Sequence, residues 1–245
     1  MKANISEVFS SAQGEGPYVG LRQVFIRFTG CNLSCRYCDT GHDKSSDTCR
    51  VEIEPGRKRF IEIPNPVSVV ELVKIITGHY PVSLHHSVSI TGGEPLLHAE
   101  YLKYLLPELK KTGLKTYLET NGSLPGELAR VIDLVDIVSM DIKLPGTSGC
   151  QPMWEDHRQF LCVARKAGVF VKIVMDDQSD AVEYSRALEM LHREDAGITL
   201  VIQPLTSNGK CALSPERALF FQAMALERLK DVRLIPQTHI FMGQM

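Results

Sequence analysis

Short runs rich in β-branched and aromatic residues alternate with longer stretches of helical spacing along most of the chain. The runs are Gln23–Phe28, Val88–Thr91, Lys115–Thr120, Asp136–Ile142, Val169–Met175, Ile198–Leu205 and Asp231–Pro236. Their length and near-continuous apolar character predict strands buried on both faces. Between them, Ser68–Gly78, Ala99–Gly113, Pro125–Leu134, Trp154–Gly168, Asp180–His192 and Ser214–Leu229 carry apolar residues at helical intervals. Ser214-Pro215-Glu216 reads as a helix cap followed by proline at the first helical position. Six strand–helix units and a seventh strand predict a parallel α/β architecture. Right-handed crossovers close such a chain into a barrel or partial barrel, and a doubly wound open sheet satisfies the same pattern.

The 245 residues contain no internal repeat and no low-complexity linker, which favours one domain over 1–245. Residues 41–66 break the rhythm. Within them RVEIEPGRKRFIEIP alternates apolar and charged residues around Pro55-Gly56, predicting an inserted hairpin with one solvated face. It reads as a surface insertion or, more sharply, as a lid over a nearby site. The formal charge of −2 gives no basis for coating nucleic acid or a membrane surface. No apolar run reaches the roughly 18 residues of a membrane span. The first residues lack the pattern of a signal peptide, so a cytoplasmic protein is expected.

Three of seven cysteines crowd into CNLSCRYC, a C-x3-C-x2-C arrangement of Cys31, Cys35 and Cys38. They directly follow the Gln23–Phe28 strand, and parallel α/β folds bind ligands at the carboxyl ends of strands. Structural zinc wants four protein ligands, which Cys49, His42 or a distant residue would complete. An iron–sulfur cubane held by three cysteines instead leaves one iron open. Cys162 reads as a core residue on a helix, and Cys49, Cys150 and Cys211 as loop cysteines without ligand spacing. Gly92-Gly93-Glu94-Pro95, in ITGGEPLL, follows the next parallel strand. Its glycines let the backbone approach a ligand closely, and its carbonyls accept from an ammonium.

CNLSCRYC resembles the signature of the radical S-adenosylmethionine superfamily, and ITGGEPLL resembles its GGEP element. The resemblance implies a 4Fe-4S cluster on Cys31, Cys35 and Cys38. S-adenosylmethionine would chelate the fourth iron and be cleaved reductively to a 5′-deoxyadenosyl radical. EVFSSAQGEGPYVGLRQVFIRFTGCNLSCRYCDT is more specifically similar to the 7-carboxy-7-deazaguanine synthase (QueE) family. The likeness continues through LETNG (118–122), VSMDIK (138–143) and PQTHIFMG (236–243). It implies a partial parallel (β/α)6-type barrel that converts 6-carboxy-5,6,7,8-tetrahydropterin to 7-carboxy-7-deazaguanine with loss of ammonia, in queuosine or other deazapurine biosynthesis. The radical would abstract a hydrogen from C6 of the substrate.

Carried over by residue, the family's substrate contacts fall on Ala12, Gln13, Gly14, Glu15, Arg27, Thr91 and His239. The S-adenosylmethionine contacts fall on Tyr37, Cys38, Asp39, Gly93, Glu94, Ser139, Met140, Asp141, Gln203, Pro204 and Leu205, and a magnesium ligand falls on Thr40. Some of these residues also make chemical sense by themselves. A carboxylate at Glu15 suits an amino-pyrimidine edge. Arg27 shares a strand face with Phe25, away from Val24, Ile26 and Phe28, and a guanidinium inside a barrel pairs bidentately with a carboxylate. Glu119, Asn121 and Lys143 stand near strand ends with no assigned role. The resemblance further implies a homodimer and an electron donor such as flavodoxin or ferredoxin, with no nucleic-acid or membrane partner. Two alternatives share some of these features: an activase for a glycyl radical enzyme, and a non-enzymatic zinc-binding module.

Overall fold

The computed structural model describes residues 1–38 and 47–245. Ten strands form one sheet: β1 (Ile5–Ala12), β2 (Arg22–Phe28), β3 (Thr48–Glu54), β4 (Arg59–Pro64), β5 (Ser87–Gly92), β6 (Lys115–Thr120), β7 (Ile137–Asp141), β8 (Gly168–Met175), β9 (Thr199–Pro204) and β10 (Asp231–Leu234). Their spatial order is β10-β9-β8-β7-β6-β5-β2-β1-β3-β4. The seven strands from β10 to β2 are mutually parallel, in the places the sequence pattern predicts. The connections between them carry α1 (Val69–His79), α2 (Ala99–Lys111), α3 (Pro125–Ala129), α4 (Pro145–Ser148), α5 (Trp154–Ala164), α6 (Ala181–Asp195) and α7 (Pro215–Leu226). A last turn, α8 (Thr238–Phe241), follows β10.

Local chemistry sets several helix starts. The Ser68 hydroxyl accepts from Glu71 N at 3.2 Å, and Asp180 accepts from Val182 N and Glu183 N at 2.6 and 2.9 Å. Pro215 opens α7 as expected, but the Ser214 side chain makes no capping bond; its own N–H donates to Asp177 Oδ1 at 2.6 Å. The Pro125–Leu134 stretch splits into α3 and a 3-10 turn over Ile132–Leu134.

The two faces of the sheet differ in chemistry. Val24, Ile26, Val88, Ile90, Leu118, Val138, Val171, Ile173, Leu200 and Ile202 point outward and are fully or almost fully buried under the helices. Each such side chain contributes about 1.5–3 kcal/mol on leaving water. Alternate residues of the same strands, by register, line the opposite face, and many are polar: Gln23, Arg27, Ser89, Thr91, Glu119, Ser139, Asp141, Lys172 and Gln203. One end of this inner face is closed by Tyr117, Ile137, Phe170 and Val201, with Tyr18 packed against them.

The sheet is curled. Five strand spacings separate β1 from β8, which would be about 24 Å if flat. Yet Glu15, just past β1, pairs with Lys172 on β8. The fold is therefore a partial barrel with a polar interior.

Strand β1 is absent from the sequence-based prediction. It runs antiparallel to β2 and joins the expected hairpin to the sheet, since β3 pairs parallel to β1 through Glu7–Arg50 and Val8–Val51. The hairpin's second strand, β4, is largely exposed, as its charge alternation predicts. Buried Glu52 ties the hairpin turn to β1: its Oε1 accepts from Gly56 N and Lys58 N at 3.0 and 3.1 Å, and its Oε2 accepts from Ser10 N at 3.3 Å. The 41–46 part of the inserted segment lies outside the described residues.

Candidate active site

Carboxylates and amides converge on the barrel interior from six places in the sequence. Gln13, 3% exposed, donates from Nε2 to Gln23 Oε1 at 3.0 Å and to Glu119 Oε1 at 2.9 Å. Glu119 also accepts from Ser89 Oγ at 3.0 Å and from Thr91 Oγ1 at 2.7 Å. Glu15 pairs with Lys172 and accepts from Gln203 Nε2 and Gln237 Nε2 at 3.2 and 2.9 Å. Burial alone would raise the Glu15 carboxyl, but the Lys172 charge and the hydrogen bonds from Lys172 and Gln237 outweigh it and hold it down to about 2. Lys172 also faces Asp141 Oδ1 at 3.4 Å, and Asp141 Oδ2 accepts from Lys143 Nζ at 2.7 Å. Burial disfavours both ammonium groups, yet the flanking carboxylates keep each charged well above its ordinary range. An alternating chain of charge, Glu15–Lys172–Asp141–Lys143, thus crosses the interior.

This chain leads to the cysteine loop. Lys143 Nζ lies 5.3 Å from the Tyr37 ring centroid. Cys31 and Cys38 are exposed and Cys35 is half-buried. Burial pushes the Cys35 thiol up to about 12 despite nearby Lys143. The TGGEP loop packs directly on the cysteine loop: Gly93 N donates to Phe28 O at 3.3 Å and Glu94 N to Gly30 O at 2.9 Å. A Cβ on Gly93 would collide with the Gly30 carbonyl oxygen, so only glycine fits there. Glu94 is fully buried and accepts from Leu96 N, Thr120 Oγ1 and Asn121 N at 3.0, 2.9 and 2.8 Å. Burial pushes its carboxyl up to about 7 against those donors. Asn121 donates from Nδ2 to Asn32 Oδ1 at 2.9 Å, so the end of β6 holds both motif loops together.

The other expected site residues fall as follows. Arg27 lies on the inner face, with Nε 2.9 Å from Glu7 Oε1 and its guanidinium 5.7 Å from the Phe9 ring centroid. Ser139 and Asp141 face inward on β7, whereas Met140 points into the outer core, so only its backbone is available to the site. Gln203 and Pro204 end β9 and are buried; Leu205 follows, its N–H donating to Met175 O at 2.8 Å. His239 lies against Gly14, where any Cβ would strike its ring, and Thr238 N donates to Gly14 O at 2.8 Å. Ala12 closes β1 opposite Arg22. Asp39 and Thr40 lie outside the described residues.

A family model described as the radical SAM superfamily matches residues 25–176. Over 247 residues the chain is 47% identical to the 7-carboxy-7-deazaguanine synthase of Geobacter sulfurreducens, covering 99% of this chain and 98% of that protein. The chain belongs to the 7-carboxy-7-deazaguanine synthase family of the radical SAM superfamily. Another family member, from Methanothermobacter thermautotrophicus, is 35% identical over 262 residues, with 99% of this chain and 98% of that protein covered. The crystal structure of QueE from Escherichia coli shares the fold at a TM-score of 0.61 and 20% identity, covering 98% of this chain and 95% of that one.

Membership in the superfamily implies a 4Fe-4S cluster and S-adenosylmethionine, and the residues present suit them. Among the described residues, buried polar atoms without hydrogen-bond partners stand around the interior: Tyr37 Oη, Gln23 Nε2 and Gln203 Oε1. Such atoms are costly unless a ligand or water meets them. Among the described residues, no three His, Cys, Asp or Glu side chains converge closely enough to hold a single metal ion.

Sequence reasoning missed Lys172 and left Glu119 and Lys143 without roles. A lysine inside the apolar run VFVKIVM is the signal that could have found Lys172. Three cysteine expectations are corrected: Cys211 ends a two-residue strand paired antiparallel with Thr206–Ser207 rather than lying in a loop, and two others differ more. Cys162 is exposed on α5, its Sγ 3.1 Å from Glu194 Oε2, because its helix face meets α6 at the rim of the core. Cys49 is fully buried in β3, in the outer core rather than in a loop.

Proposed function

We propose that this chain converts 6-carboxy-5,6,7,8-tetrahydropterin to 7-carboxy-7-deazaguanine with loss of ammonia. The observation that carries this is the inner face itself: Gln13, Glu15, Glu119 and Thr91 present amide, carboxylate and hydroxyl groups, with Arg27 on the same face. Carboxylates accept from the amino-pyrimidine edge of a pterin, amides both donate and accept, and a guanidinium pairs with the substrate carboxylate. Lys172 holds Glu15 ionised and in place, so the acceptor is charged before substrate arrives. When bound on Cys31, Cys35 and Cys38, the cluster and S-adenosylmethionine supply a 5′-deoxyadenosyl radical. The protein's part is to orient the pterin beneath that centre and keep water out. Tyr37, Gly93, Glu94, Ser139, Asp141 and Gln203 line or brace the cofactor's side of the interior, and His239 with the tail covers the Gln13–Glu15 turn.

Magnesium at Thr40, a homodimer, a flavodoxin- or ferredoxin-like donor and a cytoplasmic location belong to the same proposal and rest on the family resemblance. The glycyl-radical activase has no need of the Gln13–Glu15–Glu119 arrangement. The deciding experiment is an anaerobic incubation of reconstituted protein with S-adenosylmethionine, reductant, Mg²⁺ and the carboxypterin, read by mass spectrometry. The expected product is 7-carboxy-7-deazaguanine. 5′-Deoxyadenosine without it means the substrate is wrong, and neither product from protein with an intact cluster overturns the proposal.

A further inference from the structure

Cys150 has no place in the chemistry above, yet its Sγ lies 3.6 Å from Cys35 Sγ across 115 residues of sequence. Both thiols are half-buried. The approach is held by backbone contacts. Arg36 N donates to Ser148 O at 2.8 Å, and Arg36 Nη1 donates to Gly146 O at 3.2 Å. Cys150 N in turn donates to Ser148 Oγ at 3.1 Å. The turn after α4 is thereby pinned against the cysteine loop, with the two sulfurs between them. A disulfide needs the sulfurs about 2.05 Å apart, so they must close by roughly 1.5 Å, which rotation about the two χ1 bonds supplies.

We propose that Cys35 and Cys150 form a reversible disulfide when the cluster is absent. With a peroxide as oxidant, one thiol is oxidised to a sulfenic acid with release of water. The other thiol's sulfur then attacks it, forming the S–S bond and releasing a second water. Two electrons pass from the sulfurs to the peroxide, and both thiol protons end in water. A dithiol returns two electrons and two protons and frees both cysteines. The bond keeps Cys35 off the irreversible sulfinic and sulfonic steps. The functional consequence rests on Cys35 being a cluster ligand: while the bond is closed, one of the three ligands is withheld and cluster assembly waits for a reductant.

The test uses the full chain, stripped of iron anaerobically with a chelator and treated with hydrogen peroxide in excess over the two equivalents that a sulfinic acid requires. Free thiols are then alkylated, and the unreduced digest is read by mass spectrometry. The expected result is a Cys35–Cys150 cross-linked peptide, lost on dithiothreitol treatment. Cys150→Ser should accumulate about fivefold more Cys35 sulfinic acid under the same exposure and rebuild correspondingly less cluster after reduction. Cys35 bonded instead to Cys31 or Cys38, Cys35 recovered only as alkylated thiol, or equal over-oxidation in both proteins would each overturn the proposal. Iron and sulfide uptake by unoxidised wild type and Cys150→Ser reads the ligand assignment separately: failure there in both proteins would count against Cys35 as a ligand and leave the cross-link result standing.

Discussion

At the scale of single residues, the interior works by pairing buried charges. Glu15 is desolvated, which raises its carboxyl, but Lys172 and the Gln237 amide bring it down to about 2. A folded-state value below the unfolded 4.5 means the carboxylate adds stability above about pH 4.5 and loses it as pH falls toward 2. Wild type should therefore melt above Glu15→Gln at pH 6, with the gap narrowing steadily between pH 4.5 and 2; thermal melts of the two proteins across that range check this, and a constant gap would refute it. Arg27 offers a second prediction. Its Nε is held by Glu7 at 2.9 Å, which orients the guanidinium fork. Arg27→Ala removes a charge-assisted contact of about 2–3 kcal/mol, so carboxypterin turnover should fall about 30–150-fold. 5′-Deoxyadenosine formation should persist uncoupled. Arg27→Lys, which keeps charge but not the planar fork, should recover only part of the loss. Glu15 and Arg27 were legible in the sequence because each sits in a motif or breaks an apolar strand. Glu119 was visible as a polar strand-end residue but not as a partner of Gln13, 106 residues away, because nothing local encodes that contact.

Among elements, the parallel strands were the most legible, since burial on both sides demands the apolar runs that reveal them. Strand β1 was not. Its Glu7, Ser10 and Ser11 interrupt the apolar pattern, a register irregularity lies between Ile5 and Glu7, and its Ser10 N–H is met by Glu52 from the hairpin. Helix ends were less legible than helix cores, as where α5 stops at Ala164 and Gly168 already begins β8. The TGGEP loop shows what an element junction demands. Gly93 leaves no room for a Cβ beside the Gly30 carbonyl, and Glu94 bridges to Thr120 and Asn121. Gly93→Ala should push the two motif loops apart, cost about 1–3 kcal/mol and leave most of the protein without cluster after reconstitution. Gly78→Ala is the opposite case. That glycine lies exposed near the end of α1 with open space around it, so alanine should raise stability by about 0.5–1 kcal/mol. Chemical denaturation and iron content measured on both variants test the pair: equal behaviour would mean the loop tolerates the methyl and its glycine serves only ligand approach.

For the whole molecule, the decisive property is a sheet whose outer face is a hydrophobic core and whose inner face is polar, curled far enough for its distant strands to share one interior. Neither the curl nor the meeting of residues 13–16 with residues 237–245 follows from periodicity, because the curl shows in contacts 157 and 188 residues apart and the meeting in contacts more than 200 residues apart. That meeting is polar. Thr238 donates twice to Gly14 O, at 2.8 Å from N and 3.0 Å from Oγ1, Gln237 donates to Glu15, and Ser11 Oγ lies 3.1 Å from Gln244 Oε1. No residue of α8 is buried, and Ile240, Phe241 and Met242 are exposed. A segment that buries so little apolar surface adds little to global stability and belongs to the easily opened end of the structure. Its contacts fall instead on the turn proposed to hold the pterin, so its contribution should appear in substrate positioning. Removing residues 237–245 should shift the melting temperature by no more than about 3 °C yet lower 7-carboxy-7-deazaguanine formation by about tenfold or more. S-adenosylmethionine cleavage should continue without product. A large fall in melting temperature with turnover intact would make the segment a structural clasp, and the Gln13–Glu15 turn would then have to order its substrate without it.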